Sequence, residues 1–265
     1  MNKVAFICPT YPPRYDYSIR LLKSFKEKEI CQQADLFFVF SSKSDADSFI
    51  DYDNKIVIED SYNVISKTKA EAVNGKKFYA LDTLKNLYRY LITIDDDCVF
   101  FQKVNILSIC RDFYTKKFLL GNYCESKYTL ISRIIDSTYA CFVNIDKNLI
   151  CRSNLYLWFN QMCIYDSYFI DDFFYKIDYY NRRFNWKFEE FEYYIYMHYL
   201  VIFHNFLIVD MGYPILGTHS CCEHPITESR NLLPQIRNMI MQCRKSSISA
   251  LENKNLTLII HLDRD

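Results

Sequence analysis

The chain has 265 residues, half of them apolar, which is enough for one compact α/β domain with its own core. Lys plus Arg and Asp plus Glu each total 32, so no whole-chain field argues for nucleic acid as a partner. Four glycines, with no GxGxxG and no GxxxxGKS, exclude the loops that cradle phosphates by close backbone approach, so an anion must be met by a metal or by side chains.

Eleven dispersed cysteines without a CxxC pair read as reduced, mostly buried thiols of a cytoplasmic protein. The run from Met1 to Ile7 leads straight into Pro9 and is too short for a signal peptide. Residues 193–209 are apolar-rich, but His198, His204 and Asn205 interrupt them, so a buried helix and strand is expected there rather than a bilayer helix.

In chain order, a first strand over 4–8 stops at Pro9-Thr10-Tyr11-Pro12-Pro13, where prolines cannot donate to a ladder. Ile19, Leu21, Leu22 and Phe25 have helical spacing, and a second strand over 36–40 ends in the polar stretch Ser41 to Asp47. A short strand over 55–59 precedes a helix over 76–89, with Leu81, Leu84, Leu87 and Tyr88 on one side, and then a strand over 90–94. Beyond it come a helix near 104–114, a strand near 118–122, an aromatic-rich helical stretch and a helix beginning near Glu189. Strands alternating with helices imply a largely parallel sheet whose ligands collect beyond the strands' carboxyl ends.

The last strand of that series, Leu91-Ile92-Thr93-Ile94, runs into Asp95-Asp96-Asp97. Adjacent like charges repel, so something cationic must compensate them. Carboxylates at i and i+2 of a strand end point the same way, so Asp95 and Asp97 can face one hard divalent cation, Mn2+ or Mg2+. Such an ion also takes phosphate oxygens and neutralises a departing nucleotide diphosphate. The plain alternative is a solvated acidic loop.

Three segments in order, Ile7-Cys8-Pro9-Thr10-Tyr11, then Asn74-Gly75-Lys76-Lys77 with Ala80-Leu81, then the aspartates, resemble the GT-A glycosyltransferases of family 2 and their relatives. The resemblance implies a Rossmann-like mixed, largely parallel central sheet flanked by helices. It also implies transfer of a sugar from a nucleotide-diphosphate sugar donor to a glycan, lipid-linked or protein acceptor. On that likeness Pro9, Thr10 and Tyr11 line a nucleobase pocket, Lys76 or Lys77 meets phosphate, and Asp95 and Asp96 lie against the donor. Asp95 and Asp97 bind the metal, and His219 matches a late histidine that serves as a further ligand, since imidazole accepts manganese. One departure is Ser41-Ser42, where many relatives end the second strand with paired aspartates; it leaves the nucleobase open.

Inverting transfer needs a carboxylate to take the acceptor's proton. Glu190, in Phe188-Glu189-Glu190-Phe191-Glu192, is the candidate because its distance after the aspartates resembles the position where GT-A enzymes carry their base, with Glu189 and Glu192 as neighbours; complementing a helix dipole is its plainer role. Asp171 and Asp172, set between aromatics, are the competing base candidates, or else Asp172 simply pairs with Lys176 at i+4. Cys221-Cys222-Glu223-His224 is a poor zinc set.

Over 230–245, Leu232, Leu233, Ile236, Met239, Ile240 and Cys243 share one helical face and Arg230, Arg237 and Arg244 another. Residues 226–265 are therefore expected as a C-terminal helical extension of a catalytic domain spanning 1–225. Its basic face lies in water, or peripherally on the inner face of a membrane beside a lipid-linked acceptor. Two other readings compete. Asp95-Asp96-Asp97-Cys98-Val99 also resembles the DxDx(T/V) motif of haloacid-dehalogenase-like phosphohydrolases, with Asp95 as nucleophile, Asp97 as acid and Asp171-Asp172 as a late acidic pair. That family carries the motif on its first strand, which is not its position here. An aromatic content of 17% would also suit a non-catalytic carbohydrate-binding protein.

Overall fold

The computed structural model describes residues 3–58, 69–123, 129–146, 155–157, 162–182, 186–214, 240–243 and 259–262. In chain order the first half comprises β1 (Val4–Pro9), α1 (Tyr15–Glu27), β2 (Ala34–Phe40), α2 (Lys43–Ser48), β3 (Lys55–Val57), α3 (Lys69–Leu84), β4 (Tyr90–Thr93), β5 (Cys98–Phe100) and α4 (Ile106–Lys116). There follow β6 (Phe118–Tyr123), α5 (Thr129–Cys141), β7 (Leu155–Tyr156), β8 (Cys163–Asp166), α6 (Ser167–Lys176), α7 (Tyr179–Arg182), α8 (Glu192–His204), β9 (Leu207–Pro214), β10 (Ile240–Cys243) and β11 (Ile259–Leu262).

The central sheet has the order β3-β2-β1-β4-β8. Its first four strands are parallel and β8 is antiparallel to β4. The expected α/β class, a mixed and largely parallel sheet flanked by helices, is the one found. Strand β1 is buried along its whole length, as the continuous apolar run Val-Ala-Phe-Ile-Cys requires when both faces of a sheet are covered. From β1 the chain adds β2 and β3 on one side and then returns to lay β4 on the other. The carboxyl ends of β1 and β4 therefore flank the point where strand order reverses, the usual place for a crevice in such sheets.

Helix α3 begins before the expected 76 because Lys69-Ala70-Glu71-Ala72 carries little apolar periodicity to announce it, and it ends at Leu84. Leu87 lies beyond that end and is exposed. In α1, Ile19 points outward while Ser18 and Ser24 are buried with Leu21, Leu22 and Phe25. Those two serines serve the site: Ser18 Oγ lies 2.6 Å from Thr10 Oγ1, and Ser24 Oγ accepts from Phe100 N at 3.0 Å. Phe6 meets Phe100 edge-on at 5.1 Å, which seats β5 over β1.

Residues 193–209 form the buried helix α8 and the start of β9, as expected. Helix α8 is apolar nearly all round, the pattern of a helix enclosed in a core. No helix among the described residues is long and apolar enough to cross a membrane. Cys8, Cys31, Cys98, Cys110, Cys141 and Cys163 are free, and of these only Cys31 is exposed.

Of the C-terminal extension expected over 226–265, residues 240–243 and 259–262 are described. Its described residues are two strands, β10 and β11, and β11 runs antiparallel to β5. Ile240–Cys243 pairs in parallel with β11, which supplies partners for its backbone groups. Arg230, Arg237 and Arg244, which carried the membrane expectation, lie outside the described residues.

Candidate functional site

Two loops meet at the switch point. The first leaves β1 at Pro9, where Thr10 N donates to Val39 O at 3.0 Å and ties the loop to the end of β2. Thr10 is buried, and its carbonyl accepts from Lys76 Nζ at 2.7 Å. Tyr11 is partly exposed and caps a tight turn over Pro12–Arg14, whose fixed proline angles present Arg14 to the crevice.

The second loop leaves β4. Ile94 N still donates to Ile7 O at 2.9 Å, and then Cys98 N bonds Asp95 O at 3.2 Å, closing a turn over the three aspartates. The alternation assumed for Asp95 and Asp97 belongs to extended backbone, and in this turn the two acids take different partners. Asp95 Oδ1 lies 2.9 Å from Lys77 Nζ. Arg14 Nη2 reaches Asp96 Oδ1 at 2.5 Å and Asp97 Oδ2 at 2.7 Å, while its Nε donates to both oxygens of Asp96. Tyr17 lies under the guanidinium at 4.2 Å. The required compensation is thus partly internal.

Charge and burial compete at each group. Burial opposes the charge of Arg14, yet its hydrogen bonds to Asp96 and Asp97 outweigh that and raise its pKa. Burial pushes Asp96 up to about 6 with Arg14 pulling the other way, so it remains a carboxylate at neutral pH. Lys77 is buried too, but Asp95 and Glu192 hold it firmly charged. Among the described residues no carboxylate pairs with Lys76, and burial lowers it to about 8, with Asp45 and Asp96 opposing. Neither lysine extends an open ammonium to solvent in this structure; Lys76 braces the Thr10 loop and Lys77 braces Asp95.

Glu189 and Glu190, in the turn before α8, and Glu192, its first residue, go to three separate cations. Glu189 Oε1 meets Arg133 at 3.1 Å, Glu190 Oε1 meets Arg182 at 2.6 Å, and Glu192 Oε1 lies 3.3 Å from Lys77. Glu190 Oε2 also accepts from Lys187 N at 2.8 Å. Asn74 on α3 donates to Lys187 O and Phe188 O, so this turn is docked one helical turn before Lys77. Phe78 stacks on Trp186 at 4.1 Å and adds an aromatic anchor to the same junction. Of the three acids, only Glu192 shares a cation with the aspartate turn.

Asp171 and Asp172 lie elsewhere. Asp171 Oδ1 is 2.5 Å from Lys85, which also binds Asp82 and the Tyr180 hydroxyl. Lys85 follows Lys77 by eight residues, about 12 Å along a helix. Asp172 accepts from Tyr199 Oη at 2.7 Å and faces Lys176 at 4.0 Å, the plain i+4 pairing. Among the described residues neither acid contacts the aspartate turn. His219 and residues 221–224 lie outside the described residues.

Hard carboxylate oxygens on Asp95 and Asp97 suit magnesium or manganese. Among the described residues no three acids, histidines or thiols converge on one ion. Such ions are commonly held by one or two carboxylates plus substrate phosphates, so this donor set fits only when a bound diphosphate completes it. Arg14 went unread in the sequence, although it is the one cation in the loop that faces three acids in need of one.

No family model and no curated protein matches the chain. Among solved structures it is similar to a glycosyltransferase involved in the glycosylation of the major capsid of PBCV-1, at 8% identity and a TM-score of 0.43, over 99% of this chain and 94% of that one. It is also similar to S. aureus TarS 1–349, at 14% identity and a TM-score of 0.34, over 64% of this chain and 48% of that one. A second TarS structure gives 13%, 0.33, 64% and 29% in the same terms, so the chain spans less than half of either TarS structure. Likeness at this level assigns no residue a role; the chemistry rests on the side chains described above.

Proposed function

We propose that the crevice between β1 and β4 binds a nucleotide-diphosphate sugar and that the enzyme transfers the sugar to a hydroxyl of a glycan, lipid-linked or protein acceptor. The observation that carries this reading is the aspartate turn at the switch point, pinned at Ile94 and Phe100 and faced by Arg14 and Lys77. A site that must receive the charge of a diphosphate needs acids to hold a divalent ion and cations to keep those acids in place while the ion is absent.

Pro9, Thr10 and Tyr11 form the loop beside which the nucleobase lies, with Lys76 fixing its backbone. Asp96, held on two sides by Arg14, orients the turn. Asp95 and Asp97 would hold Mn2+ or Mg2+ together with the donor's phosphates, and the ion would supply charge neutralisation to the departing nucleotide diphosphate. His219 is the proposed further ligand.

Glu190 is the proposed acceptor of the hydroxyl proton in an inverting transfer. Arg182 pairs with it at 2.6 Å and Asn74 ties its turn to the helix that carries Lys77. Because Glu190 is buried, the acceptor hydroxyl has to replace Arg182 or Lys187 N on one carboxylate oxygen. Incubation with manganese and a panel of nucleotide sugars tests the reading. Release of nucleoside diphosphate supports it; release of phosphate from simple phosphoesters instead would favour the phosphohydrolase.

A further inference from the structure

Glu192 is wholly buried, 0% exposed, at the first position of α8. A carboxylate there is costly unless a cation and hydrogen bonds receive it. Burial pushes the Glu192 pKa up and Lys77, 3.3 Å away, pulls the other way, while neither carboxylate oxygen has a hydrogen-bond partner among the described residues, so Lys77 is the group that holds its charge. The same ammonium lies 2.9 Å from Asp95 Oδ1, so one buried lysine is shared between a sealed acid and one at the crevice. Asp95 is the open end of this triad, with its side chain 27% exposed.

Glu192 has no exposed surface from which to meet an acceptor. It can decide how much of the lysine's charge Asp95 receives. We infer that Glu192 is a positioning residue: by drawing on Lys77 it leaves Asp95 with residual negative charge for the cation that accompanies the donor's diphosphate. Without the Glu192 charge, Lys77 turns wholly to Asp95 and neutralises it. This inference rests on the donor-binding reading above.

The test is titration of Mn2+ in the presence of UDP, GDP, CDP or ADP, followed by the electron paramagnetic resonance of the free ion, with folding checked by circular dichroism. Glu192→Gln is expected to weaken binding on the order of tenfold, the scale of one nearby charge at a part-buried site. Lys77→Met together with Glu192→Gln removes both charges, frees Asp95 again, and is expected to restore binding to near the wild-type level. A purely structural role for Glu192 predicts no such rescue. If Glu192→Gln does not fold, Glu192→Asp, which keeps the charge but retracts it by one methylene, is expected to lower binding in the same direction. Unchanged binding in the single variant, or a double variant weaker than the single, would overturn the inference while leaving donor binding intact. No binding by the wild-type protein to any of the four would overturn the donor reading and this inference with it.

Discussion

Arg14 donates to Asp97 Oδ2 across 2.7 Å, so the acid assigned to a metal already carries a guanidinium. The same guanidinium grips Asp96, and its side chain is largely shielded from water. Breaking a buried pair by removing one partner costs about 3 kcal/mol, since it strands a buried charge. Arg14→Ala should therefore lose about that much stability in urea, and Arg14→Lys less, because an ammonium keeps the charge but not the fork. Manganese should raise the melting temperature of Arg14→Ala more than that of the wild type, since it can take the vacated place. Equal shifts would mean that no ion competes with Arg14.

Lys76 gives a pH signature. Burial lowers it from its ordinary 10.5 to about 8, so between those values the unfolded chain binds the extra proton. Its contribution to stability therefore rises with pH across that window. Below about 8 both states carry the charge and the burial penalty is felt in full. Lys76→Met should accordingly gain stability relative to the wild type near pH 7, offset in part by the lost bond to Thr10 O, and this relative gain should shrink as pH rises to 10.5. Chemical unfolding of both proteins at several pH values measures the difference directly.

The proton acceptor is tested by Glu190→Gln, which keeps size and polarity but cannot take a proton. Loss of a positioned base costs on the order of a hundred- to ten-thousand-fold in rate, with donor binding retained. Asp171→Asn and Asp172→Asn should leave transfer close to wild type, because Lys85, Tyr199 and Lys176 hold those acids away from the aspartate turn. Transfer rates of the three variants decide it: an active Glu190→Gln beside an inactive aspartate variant reverses the assignment.

What the sequence disclosed and what it hid divides by range. Strands β1, β2, β4 and β6 are apolar runs with polar or proline stops, and the aspartate turn lies in plain order at the end of one of them. The partners of that turn are far away: Arg14 lies 82 residues before Asp96, and Lys77 and Glu192 meet only because α8 docks on α3. No periodicity reports such pairings. The pairing of β11 with β5 is equally remote along the chain. Among the three glutamates, sequence distance pointed to Glu190, whereas the ion pairs single out Glu192 as the one joined to the aspartates.

The central claim is that Asp95 and Asp97 serve donor turnover with a divalent ion. The most direct measurement is nucleoside-diphosphate release from a panel of nucleotide sugars by wild type, Asp97→Ala and chelator-treated protein, with folding checked in parallel. The account predicts manganese-dependent release by the wild type, loss of release in Asp97→Ala with the fold intact, and loss on chelation that manganese restores. Full activity after chelation, or in Asp97→Ala, would contradict it.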